Sequence, residues 1–255
     1  LNPGIKSWLG KRVWVIGAST GIGAETALLL LKKGAHVALS SRTEKQLQVL
    51  VQNQPNALAI AADVTDHASL IHAHRLILEA WDKLDLVLVV AGGYNEMRAD
   101  SFDLAAANRL LDLNLRGVYN CLDAVLPSLL KQGHGGIGIV GSVAGFSGLP
   151  KALVYGPTKA AIVNLCESLY FDLRPKNIAV YLVSPGFVET PLTANNDFKM
   201  PALISASTAA QELVAGMERG EFHIHFPKRF TNWLRLMRML PYRCYFFLVH
   251  KFTGL

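Results

Sequence analysis

Cysteine is scarce in this sequence: three in 255 residues, at Cys121, Cys166 and Cys244, with no C-x-x-C pair. An odd, scattered set builds neither a disulfide framework nor a thiolate metal cage. It fits a reduced, cytoplasmic protein without a metal. Long hydrophobic runs are missing as well: no apolar stretch reaches the roughly 18–20 residues that cross a bilayer. The opening stretch, LNPGIKSWLGKRVWVIG, shows no basic end, apolar core and small-residue cleavage site, so no secretory leader is expected there. Charged residues are few, 17% against 51% apolar, which excludes a disordered chain and favours one with a large core. Acidic residues stop at Glu221. Up to that point 19 acids balance the Lys and Arg, and the net charge of +6 comes from Lys228, Arg229, Arg235, Arg238, Arg243 and Lys251. The body carries no continuing basic stripe, so nucleic acid is not an expected partner.

Short apolar runs alternate with helical patterns along the first 221 residues. Strands are expected at Arg12–Ile16, His36–Ser40, Ala57–Ala61, Leu86–Val90, Gly136–Val140 and Ala179–Val183. Most are rich in Val, Ile and Leu without polar alternation, as strands covered on both faces should be. Helical patterns fall at about Gly23–Lys33, Glu44–Gln52, Ala68–Trp81, Ala105–Leu130 and Val154–Leu173. Repeated strand–helix units demand right-handed crossovers, hence an α/β fold with a doubly wound parallel sheet in three layers, α/β/α. Residues 1–221 are expected to form one α/β body, and residues 222–255 a basic amphipathic appendix.

The first strand runs into Gly17-Ala-Ser19-Thr20-Gly21-Ile22-Gly23 and then a helix. Glycine lets backbone approach a phosphate, and the helix N-terminus favours its charge. The G-x-x-x-G-x-G spacing resembles the short-chain dehydrogenase/reductase family, over about residues 10–220, and that resemblance implies a Rossmann fold. A NAD enzyme would place an acid after the second strand to bind the ribose 2′-hydroxyl. Here Ser41 and Arg42 stand there, and a guanidinium suits a 2′-phosphate, which points to NADP(H). By the same resemblance, Asp63 and Val64 contact adenine. Ala91-Gly92 matches the second half of the family's N-N-A-G, although Val89-Val90 replaces the asparagines that brace the sheet. Pro185-Gly186 with Val188 and Thr190 matches the segment that positions the nicotinamide.

Reduction of a carbonyl needs a hydride, a proton donor and groups that hold the oxygen. A tyrosine keeps its proton at neutral pH, and a nearby ammonium moves its pKa toward the working range. Tyr155 and Lys159 are one helical turn apart, on one face. Ser142 ends the fifth strand, and Asn114 lies in LDLNLRG. The order Asn114, Ser142, Tyr155, Lys159, with gaps of 28, 13 and 4, is similar to the family's active-site tetrad. That similarity implies Tyr155 as acid/base and Lys159 as the group that lowers its pKa and binds the nicotinamide ribose. It implies Ser142 as the carbonyl anchor and Asn114 as support for a water-mediated proton relay. Pro157 is compatible with a helix only in its first turn; a helix starting near Lys151 would have to bend there.

Phe146, Leu149, Phe187, Leu192, Phe198 and Met200 form an apolar set near this face, which suggests a lipophilic carbonyl or alcohol, acyl or steroid-like. The expected protein is an oxidoreductase on such a substrate, assembled as a homodimer or larger homo-oligomer. A nucleotide-sensing or scaffold protein that lacks turnover is the other reading. From Lys228 to Leu240, basic and polar residues recur on one side of a helix and Phe230, Trp233, Leu234, Met237 and Leu240 on the other. That pattern suits a peripheral helix on an anionic membrane, a contact with an acidic carrier protein, or packing on the body or a second copy.

Overall fold

The computed structural model describes all residues except Asn195, Asp197, Phe198, Lys199 and Leu255. The chain begins β1 (Arg12–Ile16), α1 (Gly21–Lys32), β2 (His36–Ser41), α2 (Glu44–Val51), β3 (Ala57–Ala61), α3 (His67–Trp81) and β4 (Leu86–Val89). It continues with α4 (Leu104–Leu111), α5 (Gly117–Gln132), β5 (Gly135–Val140), α6 (Tyr155–Leu173) and β6 (Ile178–Pro185). Two short strands, β7 (Val188–Glu189) and β8 (Ile204–Ser205), precede α7 (Ala206–Glu218), β9 (His223–Phe226), α8 (Lys228–Met237) and α9 (Tyr242–Thr253).

Seven parallel strands form one sheet in the order β3-β2-β1-β4-β5-β6-β9. Successive strand residues enter opposite layers, as the two-residue pleat requires. Trp14 and Ile16 pack with α3, α5 and α6 through Ile77, Val125 and Ile162. Val13 and Val15 join α1, α2 and α7 through Leu30, Leu47 and Leu213. Both faces are thereby covered, which is why these strands are continuously apolar. The order reverses between β1 and β4, so a crevice opens beyond their carboxyl ends.

Three elements depart from the expected pattern. The helix expected over Ala105–Leu130 is broken: α4 and α5 are joined by a π-helical turn, Asp112–Arg116. The sheet also extends past the expected boundary at residue 221, because His223–Phe226 pairs with Leu182–Pro185 as the seventh strand. Beyond it, α8 ends at Met237, and Pro241 caps a further helix, α9. The expected basic side of α8 is not wholly outward. Thr231 is buried and meets His225 Nδ1 at 2.7 Å, while Arg235 lies 3.0 Å from His225 Nε2.

At the other end of the chain, Asn2 donates from Nδ2 to the Val180 carbonyl at 2.7 Å and from its backbone N–H to the Gly220 carbonyl at 3.1 Å. Among the described residues, no helix is long and apolar enough to cross a membrane.

Candidate active site

A cleft of about 510 Å³ lies along the carboxyl ends of β1, β2, β4, β5 and β6. At its centre the glycine loop turns between β1 and α1. Gly17 has φ of +92°, and a Cβ there would overlap the Ala91 backbone; one on Gly23 would strike the Gly17 carbonyl. Only glycine allows strand, loop and helix to close so tightly. Ser19, Thr20, Gly21 and Ile22 line the floor. Thr20 makes no side-chain cap, and the first turn of α1 holds no acid. Its free N–H groups therefore face the cleft as an anion cradle.

The predicted cofactor residues surround this floor. At one end Ser41 is buried and Arg42 exposed, with Asp63 and Val64 beside them. Asp63 Oδ1 accepts from the Thr65 backbone N–H and hydroxyl, and Asn120 donates to the Val64 carbonyl, so both are held from behind. Ala91 and Gly92 form the middle wall. The missing asparagine pair has an apolar substitute: Val89 packs into one layer and Val90 against the other. Pro185, Gly186, Val188 and Thr190 close the far side, with the Thr190 methyl 2.9 Å from where a Gly21 Cβ would lie. Among the described residues, Arg42 and Lys159 are the cations lining the cleft and Asp63 its acid, a balance that suits a polyanionic ligand. The uncapped helix, glycine cradle and cations together fit a dinucleotide in residue type and in volume.

Tyr155, Ser142 and Lys159 line one wall of the cleft. Tyr155 is the first residue of α6. Pro157 is thus in the first turn of α6, the placement a helix tolerates. Ser142 caps the turn after β5, accepting from the Ala144 N–H at 3.1 Å, and its side chain hydrogen-bonds Tyr155. Burial raises the Tyr155 pKa, the Ser142 bond opposes this, and Tyr94 adds to it. Lys159 is buried and donates to the Val140 carbonyl at 3.0 Å, with Nζ 5.7 Å from the centre of the Tyr155 ring. Burial lowers its pKa to about 8. The ammonium thus faces the phenol's ring, and in this environment Tyr155 retains its proton more firmly than an exposed phenol.

Asn114 lies in the π turn, 1% exposed. Its Oδ1 accepts from the Gly93 N–H at 2.8 Å, and Nδ2 donates to the Gly93 carbonyl at 2.9 Å and to Thr158 Oγ1 at 3.3 Å. Both amide donors are spent on protein, which leaves one Oδ1 lone pair for a relay. Gly92 sits between the two polar ends: a Cβ there would lie 3.3 Å from Asn114 Oδ1 and 3.4 Å from Lys159 Nζ.

The apolar set divides. Leu192 lines the cleft from an exposed position at its mouth. Phe146 instead lines a second cavity of about 470 Å³ and packs edge-on against His223 at 5.5 Å. Phe187 packs on Phe230 of α8 at 5.8 Å. Leu149 is half-buried in the loop before α6, Met200 accepts from Asn196 Nδ2, and neither lines the cleft; Phe198 lies outside the described residues. Two contributors had no sequence pattern to reveal them. Tyr94 packs edge-on against Tyr155 at 5.1 Å, and Thr158 links the Asn114 amide to the Tyr155 carbonyl, donating to the latter at 2.7 Å. Among the described residues, no group of three or more His, Cys, Asp or Glu could hold a metal ion.

A sequence model of the short chain dehydrogenase family matches residues 11–200. An oxidoreductase from Myxococcus xanthus is 32% identical over 232 residues, spanning 89% of this chain and 91% of its own. Among solved structures, a 3-ketoacyl-(acyl-carrier-protein) reductase from Brucella melitensis complexed with NADH shares the fold with a TM-score of 0.79. It is 24% identical, and the match covers 86% of this chain and 98% of that one. A variant of actinorhodin polyketide ketoreductase with NADPH has a TM-score of 0.77 at 21% identity, covering 87% of this chain and 97% of its own.

Proposed function

The chain belongs to the short-chain dehydrogenase family, and on that footing we propose that it is an NADP(H)-dependent reductase interconverting a carbonyl and a secondary alcohol on an apolar substrate. The observation that carries this reading is that Ser142, Tyr155 and Lys159 line the same cleft that presents Arg42 at the end of β2. A bound nicotinamide dinucleotide supplies the hydride. Tyr155, held protonated by burial, donates a proton from its hydroxyl to the carbonyl oxygen. Ser142 keeps that oxygen in line by hydrogen bonding. Lys159 provides positive charge beside the phenol as it loses its proton. Asn114 positions the Gly93 loop against α6 and contributes to re-protonation through its remaining acceptor site.

NADP(H) preference is supported by residue types at the end of β2: a guanidinium follows Ser41, and no carboxylate stands there to repel a 2′-phosphate. Apolar preference is supported by Leu192 at the mouth and by two ketoreductases among the structural relatives. The test is NADPH oxidation over a panel of acyl, steroid and small carbonyls. Turnover that falls about 10²–10⁴-fold in Tyr155→Phe supports the reading; unchanged turnover in that variant would sink the mechanism. A protein that binds NADPH but reduces no carbonyl would instead be a nucleotide sensor.

A further inference from the structure

The two C-terminal helices leave a large apolar face uncovered. Met237 and Tyr245 point inward and are buried, and Thr231 is spent on His225. Outward, Trp233, Leu236, Met239, Phe246, Phe247 and Phe252 are each 45–81% exposed. Scattered exposed apolar residues are ordinary, but six large ones on one helical hairpin are not. Trp233 and Phe252 touch edge-on at 6.4 Å, which joins α8 to α9 at this surface, while Leu236 and Met239 border the second cavity beside it.

We propose that this face docks the protein on an anionic membrane surface, beside the mouth of the catalytic cleft. Charge selects the occupant. No acid occurs after Glu221, and Arg229, Arg238, Arg243 and Lys251 are exposed around the aromatic residues with no ion pair among the described residues. A second copy would bring the same cations face to face. An anionic lipid surface supplies both the opposite charge and an apolar layer in which Trp, Tyr and Phe settle.

The hairpin is joined to both sides of the catalytic entrance. The Tyr245 hydroxyl donates to the Gly148 carbonyl at 2.7 Å, in the loop between Ser142 and Tyr155. Phe230 packs on Gly186, which lines the cleft. Docking rests on the hairpin alone. Delivery of a lipophilic substrate from the bilayer to Tyr155 rests also on the reductase reading.

The experiment is flotation of the full chain with phosphatidylcholine vesicles, with and without phosphatidylglycerol, at low and high salt. Binding should require the anionic lipid, weaken with salt, and shift the Trp233 emission, a signal lost in Trp233→Phe. Phe246→Glu with Phe247→Glu should weaken binding about tenfold or more. Arg238→Glu with Arg243→Glu should do the same while leaving the apolar face in place. Both pairs should keep the melting temperature and any NADPH turnover on a water-soluble carbonyl. Absence of vesicle binding by the unaltered chain overturns the proposal, as does binding by either variant pair as strong as that of the unaltered chain. If vesicles are ignored and Phe246→Glu with Phe247→Glu turns a dimer into monomers, the face is a contact between copies. If an acidic carrier protein binds there while vesicles do not, lipid is likewise the wrong occupant. Because vesicle binding needs no turnover, its failure and that of the reductase reading are separately visible.

Discussion

Tyr155 and Lys159 occur together once in the sequence at a spacing that one helical turn brings to one face, and their pairing was legible on that account. Their electrostatics were not. The spacing suggests an ammonium that lowers the phenol's pKa, whereas burial raises Tyr155 and lowers Lys159 to about 8. Burial depends on Tyr94 and Val140, distant in sequence, and on how the loop between β5 and α6 folds over the site, which spacing does not reveal. A pH dependence follows. Below about 8 Lys159 carries its charge, and above that it loses it, so kcat/KM for reduction should fall as pH rises through this region. Lys159→Arg should remove that descending limb or move it far upward, since a guanidinium keeps its proton. A profile flat to pH 10 in the unaltered chain would count against this account. Arg42 acts more locally. Arg42→Ala should lower kcat/KM for NADPH roughly tenfold and leave NADH little changed, measured with one carbonyl substrate. Equal losses with both cofactors would remove Arg42 from 2′-phosphate recognition.

Among the elements, the buried strands and their helices were readable because each strand is apolar on both faces. The π turn at Asp112–Arg116 was not, since its cause is tertiary: Asn114 must reach Gly93, while a Cβ on Gly117 would lie only 2.8 Å from Val64 Cγ2. The strand β9 escaped notice for a different reason. His-Ile-His-Phe alternates polar with apolar, and its histidines face α8 rather than solvent. That junction titrates. Burial, then His225, Arg235, Lys228 and Arg238, lower the His223 pKa to about 3. Burial, Lys228 and Arg235 lower His225 to about 4, against a weak opposing effect of Glu221. In the unfolded chain both take up protons near 6.5. Stability from this junction is therefore present above about 6.5 and is lost progressively as pH falls toward 4 and 3. The melting temperature should drop between pH 7 and pH 5, and less so in His223→Gln. An identical drop in that variant would locate the acid sensitivity elsewhere.

For the molecule as a whole, the doubly wound sheet followed from crossover handedness and from alternation of strands with helices. Strand order did not need side-chain detail. The tail was legible as basic and amphipathic, but its second helix was hidden behind Pro241, which reads as a stop and serves as the cap of α9. What the tail touches depends on where the chain leaves the sheet, and that was set by β9. The clasp between Asn2 and the region of Val180 and Gly220 bears on how such a chain is made. In N-to-C synthesis Asn2 has no such partner until residues through Gly220 exist, and the seventh strand arrives later still. A nascent chain stalled near residue 200 would hold six strands of the sheet, β1 to β6, with its β6 edge uncovered. It should therefore remain sensitive to protease on the ribosome, and become resistant only after residues through Phe226 have emerged.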